Sequence, residues 1–253
     1  MGGKHKTIAL ALSGGGNRGA VHVGVLHAFD ENKIKIDAIS GTSAGAIIGA
    51  LYSSGMLAIN IKELLDKQKT SKMLHFTLKN GGLANMRNLK KILKENIKEN
   101  NYKHLKTKLF ICASNINEAE FEIFSEGDLF SHVCASGSVP ILFEPVLING
   151  NYFVDGGLFN NLPVDPLLGN YDNVIGVHVN NYHINTKQGF KTIANQVFSM
   201  VIKQNVKRNM NKCDYIINPE LDQAYRNFSK KNSEKLFKIG YNAGIEFIKE
   251  NIL

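Results

Sequence analysis

No apolar stretch among the 253 residues reaches the roughly 18 that a membrane span needs. Cysteine is scarce as well. Cys112, Cys134 and Cys213 lie far apart, are odd in number and form no C-x-x-C pair. That pattern argues against a disulfide framework and against a zinc site, and the three are expected to be reduced and mostly buried. The first residues, Met1-Gly2-Gly3-Lys4-His5-Lys6, hold no apolar segment of the signal-peptide kind. Lys6 stands where a myristoylation motif wants Ser or Thr. These absences make a cytoplasmic chain the expectation, with peripheral membrane contact as its outer limit. Internal repeats, low-complexity linkers and visible boundaries are also missing, so residues 1–253 are expected to form one domain.

Hydrophobic residues make up 43% of the chain and charged residues 21%, a balance that buries a core rather than leaving the chain disordered. The formal charge is +8. Much of the excess falls in two clusters, Lys90, Lys91, Lys94, Lys98 and Lys103, then Lys203, Lys207, Arg208 and Lys212. Each suits either a solvated helix face or transient contact with an anionic membrane surface. No aromatic platform is interleaved with the charge, so nucleic acid is not an expected partner.

Periodicity points to an α/β fold. Thr7–Leu12 reads as a buried strand, and a glycine turn and a helix over Ala20–Phe29 follow. Ile36–Ser40 reads as a second strand, leading through Gly41 into a small-residue helix over Ala44–Ser53. Two strand–turn–helix units in succession predict a mostly parallel central sheet with helices against it. Further on, helices are expected at Ile61–Gln68, Asn88–Ile97, Phe190–Lys212 and Lys230–Asn251. Strands are expected at Leu109–Ser114, Phe121–Phe124 and Asn173–Val179. Asn149-Gly150 marks a hairpin between Pro145–Ile148 and Tyr152–Val154.

Three motifs carry chemistry. Gly41-Thr42-Ser43-Ala44-Gly45 is a G-x-S-x-G between strand and helix, the context of a nucleophile elbow. Gly41 and Gly45 keep side chains out of the tight turn, and Ser43 projects its hydroxyl at a helix N-terminus. Gly14-Gly15-Gly16-Asn17-Arg18-Gly19 also joins strand to helix. Its bare backbone N–H groups suit an oxyanion hole. The same letters satisfy G-x-G-x-x-G, so a dinucleotide-binding module remains an alternative, although Asp37 lies at the start of the second strand rather than its end. Asp155-Gly156-Gly157 places a carboxylate at a strand end, within reach of the sheet's carboxyl edge.

Taken in order, the G-G-G-x-R-G loop, the G-x-S-x-G and the D-G-G resemble the patatin-like phospholipase family. Ala135-Ser136-Gly137-Ser138-Val139-Pro140, Phe143-Glu144-Pro145-Val146 and Asn160-Asn161-Leu162-Pro163-Val164 are similar to that family's flanking stretches. The likeness runs from about Lys6 to Asp165. It implies a three-layer α/β/α fold, a catalytic dyad of Ser43 and Asp155, and an oxyanion loop of Gly14, Gly15, Gly16 and Arg18, with Arg18 organising the loop. It also implies a calcium-independent lipid acyl hydrolase without cofactor or metal. Asn17 departs from the alanine common in relatives, which leaves the backbone donors in place.

An aspartate of ordinary pKa is a weak base for a serine hydroxyl, so a Ser–Asp–His triad through His178 or His183 stays open as the familiar remedy. His178 is expected inside a strand, and His22 and His27 on a helix as packing or surface residues. An acyl-enzyme passes its acyl group to water or to another acceptor, so acyl transfer is the neighbouring activity. A catalytically idle scaffold is the remaining reading, and the complete motif set counts against it. Met73, Leu74, Phe76, Leu78 and Leu83 suit either core packing or cover for an acyl chain.

Overall fold

The computed structural model describes residues 6–67, 75–76, 84–180, 190–221 and 230–252. Strand β1 (Ile8–Leu12) is buried at every position, as a central strand of a parallel sheet must be when both faces are covered. Its alternation sorts the two faces by size. Ile8, Leu10 and Leu12 point into the larger core. Ala9 and Ala11 point to the other face, against Leu162, Val164, Leu167 and Val206. Helices α1 (Gly19–Glu31), α2 (Ala44–Ser53) and α3 (Ala58–Lys67) follow on the large-residue face, with β2 (Ala38–Thr42) between the first two.

A short antiparallel pair, β3 (His75–Phe76) and β4 (Ala84–Asn85), stands apart from the main sheet. The rest of the Met73–Leu83 apolar segment lies outside the described residues. Helix α4 (Arg87–Asn96) then buries Leu89 and Leu93. Next come β5 (Lys108–Asn115), β6 (Glu120–Phe124), α5 (Leu129–Gly137), and the hairpin β7 (Val146–Ile148) and β8 (Asn151–Asp155). The hairpin turns at Asn149 and Gly150, both at positive φ, as the Asn-Gly pair predicts. β9 (Asn173–Val177), α6 (Phe190–Met210), β10 (Tyr215–Ile217) and α7 (Lys230–Asn251) complete the order.

The main sheet runs β10-β9-β1-β2-β5-β8-β7, with β6 also paired to β5. The strands from β10 to β5 are mutually parallel, while β6, β7 and β8 add an antiparallel side. Helices cover one face, and α6 with the 162–167 segment covers the other. This is the three-layer α/β/α arrangement expected. Helices α1 and α7 meet backbone to backbone, because a Cβ on Gly24 or Gly240 would run into main-chain atoms of the other helix.

Several expectations shift at their edges. β9 ends at Val177, so His178 lies just beyond the strand rather than within it, its N–H continuing the ladder to the Ile217 carbonyl at 2.9 Å. Helix α5 and strand β10 have no counterpart in the sequence reading. α5 is capped by Asp128, whose side chain accepts from the Ser131 N–H.

The pairing around β5 decides where the site forms. β6 pairs along Ile111–Asn115, so it occupies one edge of β5 there. β2 reaches Cys112, and β8 begins at Ala113. Both overlap β6 in register, so both must lie on the opposite edge. β2 runs up that edge and β8 runs down it, and they stop at adjacent rungs. The carboxyl ends of these strands therefore face each other, Thr42 opposite Cys112 and Asp155 opposite Ala113.

Candidate active site

The residue after Thr42 is Ser43, and it sits at φ 54 and ψ −117. A non-glycine residue at positive φ is uncommon and costs energy that surrounding contacts must offset. Close backbone approaches impose it. A Cβ on Gly41 would lie 2.5 Å from the Gly45 carbonyl, and one on Gly45 would overlap the Leu12 backbone. Side chains at positions 41 and 45 are thus excluded by backbone on both sides of Ser43. Ser43 occupies the N-cap of α2, but its side chain caps nothing. Its N–H instead donates to Ser136 Oγ at 2.9 Å, and Ser136 donates onward to the Cys112 carbonyl at 2.6 Å. The hydroxyl is left for another partner.

Across from it stands Asp155, whose carboxyl the Ser43 side chain is near enough to influence, pulling its pKa down. Asp155 is buried. Its Oδ1 accepts the Gly157 N–H at 2.7 Å, its N–H donates to the Ser138 carbonyl at 2.9 Å, and its carbonyl accepts from Ser114 Oγ at 3.0 Å. Burial pushes its pKa up to about 6, against the opposing pull of Ser43 and of the Gly157 bond. Desolvation disfavours the charged carboxylate, which makes it a better base than an exposed aspartate.

The glycine loop lies beside this pair, with a Cβ on Gly14 falling 3.2 Å from Ser43 Cβ. Its amides are not equivalent. The Gly14 N–H is committed to the Asn161 carbonyl at 3.0 Å. The Gly15 and Gly16 N–H groups meet no acceptor among the described residues. Gly16 takes φ 55, and space around it is open. Arg18 returns to the loop, donating from its N–H (3.1 Å) and from Nε (3.4 Å) to the Gly15 carbonyl. Gly19 and Ala44 pack against each other, so the N-termini of α1 and α2 converge on the same spot.

Two asparagines on α6, which sequence reasoning missed, hold the far side. Asn205 Oδ1 accepts the Asn161 N–H at 3.0 Å, and its Nδ2 donates to the Gly157 carbonyl at 3.1 Å. Asn209, one turn on, donates to Asn160 Oδ1 and to the Leu162 carbonyl. A pair of asparagines four apart on one helix face was the available signal. An apolar groove of about 500 Å³ adjoins this region, walled by Leu158, Phe159, Met200 and Val201.

None of His22, His27 and His178 is seen to contact Ser43 or Asp155. His178 Nδ1 bonds Asn218 Oδ1 at 3.0 Å, and burial lowers its pKa, with the Asn218 bond opposing and Arg18 assisting. His22 is buried against the Ser13 carbonyl at 2.7 Å, and its pKa falls to about 4, chiefly by desolvation. His27 packs on the rings of Phe237 and Tyr241. His183 lies outside the described residues. Asp37 accepts the Ile8 N–H at the start of β1 and β2, at the opposite end of these strands from the glycine loop. It is therefore out of reach of a ligand on that loop. Cys112 and Cys134 are buried and Cys213 half-buried, all as free thiols. Among the described residues no cluster of His, Cys, Asp or Glu is placed to hold a metal, and no helix is long and apolar enough to cross a membrane.

With this geometry in hand, comparison with known proteins is direct. A family model, patatin-like phospholipase, matches residues 10–168, more than half of the chain. The chain belongs to the patatin-like phospholipase family. It is 32% identical over 169 residues to the human patatin-like phospholipase domain-containing protein 6, a match covering 63% of this chain and 12% of that protein. It is 25% identical over 281 residues to the lysophospholipase nte1 of Neurospora crassa, covering 97% of this chain and 18% of that one. The chain thus spans less than a fifth of the length of either relative. Among solved structures, VipD from Legionella pneumophila superposes with a TM-score of 0.67 at 16% identity, covering 98% of this chain and 67% of VipD. ExoU in its complex with SpcU from Pseudomonas aeruginosa gives 0.56 at 15%, covering 97% and 52%. At such identities these two speak for the fold alone. The family match takes in every motif residue from Gly14 to Asp155.

Proposed function

We propose that this chain is a serine acyl-ester hydrolase acting on lipids, with Ser43 as nucleophile and Asp155 as its base. The observation that carries the reading is the buried carboxyl of Asp155 brought beside a serine held at positive φ, at the adjacent rungs where β2 and β8 end. Ser43 Oγ attacks the ester carbonyl while Asp155 takes the proton. The oxygen that gains charge lies against the Gly15 and Gly16 amides, donors that meet no acceptor among the described residues and are fixed before the reaction starts. Arg18 holds the loop's shape from its far side. As the tetrahedral intermediate collapses, Asp155 returns its proton to the leaving alcohol. Water, deprotonated by the same carboxylate, then releases the fatty acid. The groove of Leu158, Phe159, Met200 and Val201 begins three residues past Asp155 and suits the acyl chain. The names of the relatives support a phospholipid or lysophospholipid as substrate.

The direct test measures hydrolysis of a medium-chain chromogenic ester and of a lysophospholipid, with a chelator present. Wild type is compared with Ser43→Ala and Asp155→Asn. Both variants are expected to lose about a thousandfold or more in kcat while melting cooperatively. Activity that survives in either folded variant ends the dyad assignment.

A further inference from the structure

The basic cluster on α6 does not act as one face. Lys212 is paired with Asp165 at 2.9 Å, and Arg208 borders the apolar groove. Lys203 and Lys207, one helical turn apart, instead line a separate cavity of about 320 Å³ with His178, Asn180 and Asn218. Among the described residues no carboxylate lines it. Two lysines, three asparagines (Asn211 with Asn180 and Asn218) and a histidine therefore border one partly open cavity, together with the apolar Ile202, Val206 and Met210. Cations gathered without acidic neighbours attract an anion, and lysine binds phosphate as a point charge.

The cavity is coupled to the reacting centre through the chain. Asn180 Nδ2 donates to the Gly14 carbonyl, and a Cβ on Gly14 would touch Ser43. Val179 packs on Gly15, the next residue of the same loop. The cavity and the apolar groove lie along different sides of α6, the first lined by Lys203, Val206 and Lys207 and the second by Met200, Val201 and Gln204. A glycerophospholipid carries its phosphate a few bonds from the ester carbonyl, which suits a cavity joined to the glycine loop through Asn180.

We propose that this cavity is a phosphate subsite, and that Lys203 and Lys207 make the enzyme prefer acyl esters bearing a phosphate over uncharged ones. The proposal rests on the hydrolase reading of Ser43 and Asp155 for its substrate, and on the cavity alone for the anion. Both lysines are exposed on α6, so their removal leaves the core intact.

The test compares wild type with the Lys203→Ala/Lys207→Ala double variant on two lipids of equal chain length, lysophosphatidate and monoacylglycerol. Both are presented in neutral detergent micelles. A second arm follows the melting temperature with added inorganic phosphate. The expected result is a drop in kcat/KM on lysophosphatidate at least tenfold larger than on monoacylglycerol, carried mainly by KM. It should shrink as salt is raised. Inorganic phosphate should raise the melting temperature of wild type and compete with lysophosphatidate, and both effects should disappear in the double variant. Equal losses on the two lipids, or none, overturn the proposal. Stabilisation by phosphate without competition overturns the substrate assignment and leaves a free anion as the ligand. If wild type turns over neither lipid, the hydrolase reading fails, while the melting arm still decides whether the cavity holds phosphate.

Discussion

Ser43 and Asp155 stand side by side, yet the contacts that hold them come from different distances along the chain. Ser43 is set by its neighbours: Gly41 and Gly45 within the turn, and Leu12 on the adjoining strand. Asp155 is set by Ser114 on β5, by Ser138 just past α5, by Gly157 in its own turn and, at one remove through Gly157, by Asn205 on α6. The first arrangement is steric and almost wholly backbone. The second is a network of buried polar bonds. A steric site fails abruptly when a methyl is added, whereas a network loses its members by degrees.

The sharpest way to break the first side is Gly45→Ala. Its Cβ would overlap the Leu12 carbonyl, and neither α2 nor β1 can retreat without unseating the core. A loss of roughly 3 kcal/mol or more in unfolding free energy is expected, with overpacking against backbone as the cause. Denaturant titration reads it directly. Gly16→Ala is the control. It meets open space and bears only the cost of φ 55, so a loss of about 1 kcal/mol is expected there. Equal losses at the two positions would mean that crowding does not define the serine turn.

The same contrast explains what was legible beforehand. The Ser43 turn, the glycine loop and their strands obey local rules of spacing and burial, so residues 8–53 read as they fold. The match of Asn149-Gly150 to a hairpin is of the same kind. Asp155 was found only through its D-G-G motif and the family resemblance, because its neighbours are non-local. The meeting of β2 and β8 on one edge of β5 is a pairing choice that no local pattern encodes. α5 was missed because Leu129–Gly137 is apolar almost all round, with every residue but Ser131 buried, and so lacks an amphipathic period. β10 is three residues long, too short to alternate. Asn205 and Asn209 went unremarked because only the sheet packed against α6 decides which face of that helix turns inward.

Asp155 sharpens the comparison through pH. Its carboxyl, pushed up to about 6 by burial from an ordinary 3.8, holds its proton more tightly in the folded chain than in the unfolded one. The stability it contributes is therefore complete below about pH 3.8 and is lost as pH rises through about 6. At pH 7 the buried charge costs up to about 3 kcal/mol. Asp155→Asn removes that charge and keeps an oxygen for the Gly157 amide. The variant should melt above wild type at pH 7.5, with the gap closing toward pH 4.5. Wild-type kcat/KM should fall as pH drops through 6, since the base must be ionised. A melting difference that ignores pH would remove burial as the source of the carboxylate's basicity.

The smallest expected effect tests the network at one remove. Asn205 touches neither Ser43 nor the carboxylate of Asp155. It fastens Gly157, whose N–H supports that carboxylate, to Asn161, whose carbonyl occupies the Gly14 amide. Asn205→Ala leaves a buried N–H and a buried carbonyl without their partner, a cost of about 1–2 kcal/mol. Positioning also suffers, so kcat should fall about tenfold, because a shift of the base by a fraction of an ångström weakens proton transfer. Asn205 also borders the apolar groove, so KM should rise modestly beside it. The pH at which kcat/KM is half-maximal should move as well, since the Gly157 bond that lowers the Asp155 pKa loosens and the carboxyl rises further. A merely structural asparagine would lower the melting temperature and leave that midpoint where it was.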